Sequence, residues 1–176
     1  MWTLMKKSVL LTWLVFAGLS IMPFSVATKA VASNSEMPLQ LILEALPPLQ
    51  LTGQQIQLVV RFKNVSNIPI KLLKVFEPTP VFFSVKIIDR VSDRPIDVAG
   101  AGKIDFFGAP DVEVINPNQE FTVKIDLGQL LAASGKTLKR GLYEVSVTYH
   151  NQYGEDVLKG ELTSGTVQIR ILDKAE

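Results

Sequence analysis

Apolar and polar side chains alternate with a period of two over most of this chain, and that pattern is typical of half-buried β-strands. The clearest run predicts one inward-facing row, made of Tyr143, Val145, Val147 and Tyr149. Similar runs predict strands near residues 39–43, 56–63, 68–72, 81–87, 112–115, 121–125 and 166–172. No strand alternates with a long amphipathic helix, which argues against a parallel sheet. The pattern therefore predicts an all-β, antiparallel domain.

Two turns are predicted from short polar residues and proline. Asn64-Val65-Ser66-Asn67 has side chains that can hydrogen-bond their own backbone, so residues 55–75 are predicted to form a β-hairpin. Asn116-Pro117-Asn118-Gln119 predicts a β-turn, because Pro117 suits the second position of such a turn. The sequon Asn64-Val65-Ser66 is interpreted as part of the first turn and not as a glycosylation site.

Two further local signals shape the predicted topology. Pro95 cannot donate a ladder hydrogen bond, so it limits the segment around it to a short or edge strand. Residues Leu127–Ala133 predict one or two helical turns that cross between two sheets. Together with the alternating strands, these signals predict an antiparallel immunoglobulin-like β-sandwich of about seven or eight strands.

The first 32 residues read as a secretory signal peptide. Lys6 and Lys7 precede an apolar run over residues 9–24, and the small-x-small site Ala30-Val31-Ala32 predicts a cut before Ser33. The alternative is an uncleaved membrane anchor, because the run approaches the roughly 18–20 residues that span a bilayer. We therefore predict a signal peptide at 1–32, a flexible leader at 33–38 and one domain at 39–176.

The charge and cysteine content of the processed chain limit its partners. Removing residues 1–32 leaves 176 − 32 = 144 residues, and removes three of the 18 Lys and Arg but none of the 17 Asp and Glu, which gives a net charge of 15 − 17 = −2. Such a balance predicts no nucleic-acid partner, and no membrane partner after cleavage. The chain has no cysteine, so neither an acylated cysteine nor a disulfide is available.

No catalytic or metal-binding constellation can be assembled from the titratable residues. His150 is the only histidine, and it is predicted to be exposed at the end of a strand, without the spacing of a catalytic triad or a zinc site. Asp89, Asp93 and Asp97 follow a four-residue spacing that matches no calcium loop. The sequence therefore predicts no enzymatic activity, no catalytic or metal-binding residue and no cofactor.

Three other residues are candidates for a role. Tyr143 at the start of the clearest strand is predicted to form a tyrosine corner, a structural hydrogen bond to the preceding connection. Phe106 and Phe107 lie in a glycine-flanked segment, residues 99–110, that is too apolar for a plain loop. One reading makes the two phenylalanines partner-binding anchors on a mobile loop. In the other, Ile104 and one of the phenylalanines fold back and plug one end of the sandwich.

Residues 53–149 also carry a set of local motifs in a particular order. That order is Gly53, Asn64-x-Ser66, Pro69-Ile70-x-Leu72, Phe83-x-Val85-x-Ile87-x-Asp89, Asn116-Pro117-x-x-Glu120 and Gly141-x-Tyr143. This layout resembles a broad bacterial group of immunoglobulin-like domains that includes the intracellular proteinase-inhibitor type. The resemblance implies a sandwich more than an inhibitor, and the export signal and Asn118, where such domains often have glycine, depart from it.

The resulting hypothesis is an exported, non-enzymatic protein-binding module of the periplasm or cell exterior, with an accessory, assembly or inhibitor-like role. A carbohydrate or cell-wall binding module is the alternative, and it would use Tyr153 as a stacking platform. A hydrolase that uses His150 with carboxylates is the third possibility. An exposed aromatic patch that includes Phe106 and Phe107 would favour the first hypothesis, and a stacked Tyr153 platform the second. Convergence of His150 with a buried aspartate and a serine would favour the third.

Overall fold

β-Strands predominate in the part of the chain that the structure describes, and its helices are short, which confirms the all-β prediction. The computed structural model describes residues 30–32, 37–47, 49–51, 55–74, 79–98 and 111–173. The strands in these ranges are β1 (Ala30–Ala32), β2 (Leu39–Leu46), β3 (Leu49–Leu51), β4 (Gln57–Asn64), β5 (Ile70–Leu73), β6 (Phe83–Asp89), β7 (Arg94–Asp97), β8 (Val112–Ile115), β9 (Glu120–Asp126), β10 (Gly141–Asn151), β11 (Gly160–Thr163) and β12 (Val167–Leu172). The short helices are α1 (Thr79–Phe82) and α2 (Leu127–Ala133). Within the described ranges, neither helix is long and apolar enough to cross a bilayer.

The first sheet has the order β1-β2-β4-β9, and each neighbouring pair is antiparallel. Alternate residues of β2 and β4 are buried, as the period-two pattern predicts, although Ile42 and Val59 between them are buried as well. In β9, Phe121 and Val123 are half-buried and Ile125 is buried. The pairing brings inner-face residues into register across three strands: Leu43 lies opposite Val60, and Val60 lies opposite Val123. The first sheet therefore presents one continuous apolar face.

The second sheet has the order β3-β12-β10-β6-β7, and β11 pairs with the far end of β10. Its pairings are antiparallel except for β3 and β12, which run parallel. The chain crosses from the first sheet to the second between Leu46 and Leu49, where the Leu46–Pro47 peptide is cis. Pro95 lies in β7 at the edge of this sheet, which confirms the prediction of a short or edge strand.

The buried residues of both sheets form a single hydrophobic core, apart from Ile42 and Val59 of the first sheet, which are buried outside it. Phe62 of the first sheet meets Tyr149 of the second in an edge-to-face contact with ring centroids 5.0 Å apart. Phe83 packs on the same tyrosine at 5.6 Å. Aromatic pairs of this geometry stabilise a core by about 0.5–1.5 kcal/mol beyond the burial of their area. This cluster therefore lies where the inner faces of the two sheets meet.

The helix α2 connects β9 of the first sheet to β10 of the second, which confirms the predicted helical crossover. It begins at its N-cap Asp126, whose carboxylate accepts the backbone N–H of Gln129 at 3.0 Å. Leu127, Leu130 and Leu131 are buried against the core. The helix therefore contributes its apolar side to the core while it carries the chain between sheets.

The turn at residues 116–119 is confirmed. The N–H of Gln119 donates to the carbonyl of Asn116 at 2.9 Å, with Pro117 in the second position. Asn118 has a φ of 65°, the left-handed conformation that a type II turn needs at its third position. Asparagine tolerates this conformation better than most residues, so it can stand where glycine is common.

The predicted hairpin over residues 55–75 is wrong. β4 pairs with β2 and β9 in the first sheet, whereas β5 pairs with β8 in a separate two-stranded sheet. Both edges of β4 are therefore taken by strands remote in sequence, and the segment after Asn64 leaves the sheet. Val81 also differs from its prediction, because it is buried in α1 and not in a strand.

The described residues form twelve strands, more than the seven or eight expected. The additional strands β1, β3 and β11 have only three or four residues, too few to show an alternation. Most of the predicted signal peptide and leader, residues 1–29 and 33–36, lies outside the described residues. Pro38, within the predicted leader, accepts a hydrogen bond from the backbone N–H of Val65 at 3.0 Å.

Candidate functional site

Phe106 and Phe107, the predicted partner-binding anchors, lie outside the described residues, as does the whole segment 99–110. The candidate site is therefore built from the remaining predicted residues and from the surface of the two sheets.

Tyr143 is buried at the start of β10, and its hydroxyl donates to the backbone carbonyl of Lys139 at 2.9 Å. This is the geometry that a tyrosine corner requires. Burial raises the pKa of the Tyr143 hydroxyl, and the negative charge of Asp89 adds to that effect. A Cβ placed on Gly141 would lie 3.2 Å from the tyrosine ring, so the glycine two residues earlier gives the ring its room. The hydroxyl is thus engaged in a structural bond to its own chain.

His150 lies on the outer face of β10, where it is half-buried rather than exposed. Its register partner on β11 is Glu161. The ring atom Nε2 is buried and has no hydrogen-bond partner among the described residues. Those residues contain no group of three or more histidine, cysteine, aspartate or glutamate side chains that could hold a metal ion. The described surroundings of His150 thus bring together no triad and no metal-ligand set.

Two of the aspartates considered as calcium ligands, Asp89 and Asp93, make their contacts within the turn between β6 and β7. The Asp89 carboxylate accepts the N–H of Val91 at 2.8 Å and the hydroxyl of Ser92 at 3.0 Å. The bond from Val91 is the main reason why the pKa of Asp89 is lowered. Asp93 forms an ion pair with Arg90 at 3.0 Å. These carboxylates therefore stabilise the β6–β7 turn instead of converging on a common point.

Tyr153, the candidate platform for a sugar ring, is half-buried and packs against the core. Its ring meets the fully buried Phe82 edge-on, with centroids 6.1 Å apart. Stacking on a sugar needs an open aromatic face, and here part of the ring is occupied by the protein itself.

Asn64 is fully buried, and its side-chain amide joins three segments of the chain. Nδ2 donates to the carbonyl of Ile68 at 2.7 Å and to the carbonyl of Ile115 at 2.8 Å. Oδ1 accepts the N–H of Ser66 at 2.9 Å, which confirms the turn predicted from the sequence. Both amide protons are engaged within the protein, so the sequon is inaccessible to glycosylation in the folded chain.

Asn151 repeats this arrangement at the end of β10, and the sequence analysis missed it. Its Nδ2 donates to the carbonyls of Tyr153 at 3.1 Å and Leu158 at 2.9 Å, while Oδ1 accepts the N–H of Tyr153. An asparagine directly before a polar loop was the available signal. The side chain holds the loop of residues 152–159 against the strand end.

An exposed patch of leucine and arginine lies on the outer face of the second sheet, near its β3 edge. Arg170 of β12 lies in register between Leu49 of β3 and Leu142 of β10. Leu49 and Leu172 are 53% and 37% exposed, and Leu142 is half-buried. Arg140 stands beside Leu172. We call the set Leu49, Leu142, Leu172, Arg140 and Arg170 the Leu–Arg surface.

The Leu–Arg surface contains a shallow cavity of about 270 Å³. Its lining is Arg140, Gly141, Leu142, Arg170, Ile171 and Leu172. Arg140 forms a long, solvent-exposed ion pair with Asp173 at 3.3 Å, and Arg170 has no ion pair among the described residues. The surface therefore offers apolar area beside a guanidinium group that is available to an acidic ligand.

No family model matches the chain, and no curated protein matches its sequence. Among solved structures, the chain is similar to β-glucosidase from Listeria innocua in complex with gluconolactone, at 17% identity and a TM-score of 0.38, over 82% of this chain. The same enzyme in complex with glucose gives 17% identity and a TM-score of 0.36, also over 82% of this chain. The chain spans 16% of the length of these enzymes. TM-scores this low carry no argument about fold or activity.

Proposed function

We propose that this chain is an exported, non-enzymatic protein-binding module built on an immunoglobulin-like β-sandwich, and that it acts in the periplasm or outside the cell. The observation that carries the proposal is the Leu–Arg surface. Leu49 and Leu172 are exposed beside Arg170, which has no ion pair among the described residues. Arginine is enriched in protein interfaces, and the buried centre of an interface is apolar.

The strand order supports the immunoglobulin-like part of the proposal. In that fold, strands A, B and E form one sheet and strands C, F and G form the other. The order β2-β4-β9 corresponds to A-B-E, and β12-β10-β6-β7 corresponds to G-F-C with an added strand at the edge. The hydrogen bond from Tyr143 at the start of β10 lies where the tyrosine corner of that fold lies.

The chemistry of the Leu–Arg surface points to a protein partner that carries an acidic side chain next to apolar ones. Arg170 would pair with the carboxylate, and the flanking Leu49 and Leu142 would exclude water from that pair. An ion pair shielded in this way is stronger than one exposed to solvent. A neutral sugar has no charge that could pair with Arg170.

The test is capture of a partner from the cell envelope with the exported chain and with matched variants. We expect the double variant Leu49→Ser, Leu172→Ser to lose the captured protein. The control is Val91→Ser, an 83% exposed valine on the β6–β7 turn, which should keep it. Both variants change exposed positions, so their stability should stay within about 0.5 kcal/mol of the parent chain.

The charge of the surface is tested separately with Arg170→Glu. Capture should be lost with this variant, and capture by the parent chain should weaken as salt is raised, because salt screens the ion pair. A protein that binds the double leucine variant and Arg170→Glu as well as the parent chain would refute the assignment of this surface.

Phe106 and Phe107 remain a second predicted binding element of the same module. Replacing both with serine should abolish capture while the unfolding midpoint is retained, if they are anchors on a loop. If they plug the core instead, the midpoint should fall sharply and binding should be lost only through unfolding. A stable double variant that captures its partner normally contradicts the anchor role.

A further inference from the structure

Strand β1 pairs with the edge of β2 that faces away from β4. Its three residues, Ala30-Val31-Ala32, are the predicted cleavage site. Ala30 is in register with Leu43, and Ala32 with Leu41. A cut before Ser33 would therefore separate β1 from the chain and leave β2 at the edge of the first sheet.

The backbone groups that the cut would leave unpaired follow from one hydrogen bond. The N–H of Val65 donates to the carbonyl of Pro38 at 3.0 Å, so residue 38 directs its backbone toward β4. Successive residues of a strand direct their N–H and C=O groups to opposite sides. Even-numbered residues of β2 therefore direct their backbone groups toward β4, and odd-numbered residues direct theirs toward β1. The odd-numbered residues also bury their side chains in the core; they are Leu39, Leu41, Leu43 and Ala45.

Apart from the single charge of Glu44, the β2 edge lacks the features that normally protect an edge strand. Leu39–Leu46 contains no proline, lysine or arginine, and its register with β4 runs through eight consecutive pairs without a bulge. Regular, apolar edges of this kind are templates for pairing with another strand. That β1 occupies the edge in this structure indicates that an extended antiparallel strand fits there.

We propose that processing before Ser33 opens the β2 edge to a second copy of this chain, and that the two β2 strands pair antiparallel about a two-fold axis at Ile42. The two first sheets then join into one continuous sheet. The proposal rests on the export part of the proposed function and does not involve the Leu–Arg surface.

The residues of β2 are compatible with this self-pairing. With the axis at Ile42, this isoleucine meets its own copy, Leu41 meets Leu43 of the second copy, and Gln40 meets Glu44 of the second copy. No like charges face each other across the axis. Glu44 is held on the outer face of its own sheet by Arg61 at 2.7 Å. Leu39, Leu41, Leu43 and Ala45 can pair their outward backbone groups with the same residues of the second copy.

The test measures the mass of the purified exported protein in a dilution series, after intact-mass analysis has established its N-terminus. We expect a Ser33 N-terminus and a dimer that dissociates on dilution, because one strand edge is a small interface. A processed chain that is monomeric at every concentration would overturn the proposal. So would an exported chain that retains residues 30–32, because its edge stays occupied.

Two substitutions that give residue 40 opposite charges test whether it lies at the dimer interface. Gln40→Glu places a glutamate opposite Glu44 of the second copy twice in each dimer, and should raise the dimer dissociation constant about tenfold. Gln40→Lys should lower it, because the lysine faces the same carboxylate.

Within one chain, Gln40 is in register with Lys63, so the two substitutions should affect the stability of the monomer in the reverse order. A change in monomer stability alone cannot give one order of the two variants in dimer affinity and the reverse order in the free energy of unfolding. Lys124→Gln on β9, at the other edge of the first sheet and in register with the uncharged Val59, is the control and should leave the dissociation constant unchanged. A dimer that responds equally to all three variants, or to none, has its interface elsewhere and refutes the proposal, as does pairing of the β2 edge with a different protein.

Discussion

Replacing Asn64 with aspartate tests the most highly connected buried polar group in the described part of the chain. The change keeps the shape of the side chain and its acceptor oxygen, but it removes the two protons donated to the carbonyls of Ile68 and Ile115. It also places a carboxylate against two carbonyl oxygens in a fully buried position. The aspartate therefore has to be protonated, or the connection between β4, β5 and β8 has to open.

The magnitude follows from the bonds that are lost. A buried acceptor left without its donor costs about 1–3 kcal/mol, and this cost applies to the Ile115 carbonyl. The Ile68 carbonyl adds less, because it is only part-buried and lies 3.0 Å from the Ser66 hydroxyl. The free energy of unfolding of a domain of this size is about 5–15 kcal/mol, so the variant should fold but with a large loss of stability. The hydrogen bonds from Ser66 to Oδ1 remain possible in the variant and limit the loss.

The loss should depend on pH. Burial next to carbonyl oxygens raises the pKa of the new carboxyl in the folded state above its value of about 3.9 in the unfolded chain. The folded variant then binds more protons than the unfolded one, so its stability falls as pH rises from below about 4 through the raised pKa. The difference from the parent chain should thus be smallest in acid and largest at neutral pH.

The assay is denaturant unfolding of the parent chain and the variant at several pH values. The control is Asn67→Asp at an exposed position of the same turn, which adds the same charge without burial. A loss of less than about 1 kcal/mol at neutral pH would show that the Asn64 amide does not hold these strands together. A loss that is the same at every pH would show that the buried carboxyl is not its cause.

Three further predictions concern the core and the processing of the chain. Tyr143→Phe should lower the free energy of unfolding by about 1–3 kcal/mol, because the Lys139 carbonyl loses its donor, and an unchanged denaturation midpoint would contradict this. Val145→Ala should cost about 1–3 kcal/mol by opening a cavity at a fully buried position, also measured by denaturation. Export should leave Ser33 at the N-terminus, whereas an intact mass that includes residues 1–32 in the membrane fraction would indicate an uncleaved anchor.

The stability of the β10–β12 region also depends on a residue that no pattern singled out. Ser164 lies between β11 and β12, where the strand that pairs with β10 is interrupted. Its hydroxyl accepts the N–H of Val147 at 2.9 Å, and its own N–H donates to the Val147 carbonyl at 2.8 Å. The serine side chain thus replaces a ladder bond at the break between β11 and β12.

The sequence by itself determined the features that depend on near neighbours. The alternation in β10 and β12, the turn with Pro117 and the helix after Asp126 all appear where they were predicted. Each depends on interactions within a few residues, such as the side-chain direction in a strand or a cap on a helix. The Asn64–Ser66 bond is of this kind as well, and it was predicted from the turn residues alone.

Only the tertiary structure decided which strands are neighbours. A period of two states that a segment is half-buried, but it does not state which strand lies beside it. The hairpin over residues 55–75 was predicted from adjacency in sequence, and it is wrong because β2 and β9 occupy both edges of β4. The same applies to Leu49, Leu142 and Arg170, which come from three strands and form one surface only through the pairing of β3, β12 and β10. Strand pairing between distant segments is selected by the packing of the whole core, and that is a property of the folded chain.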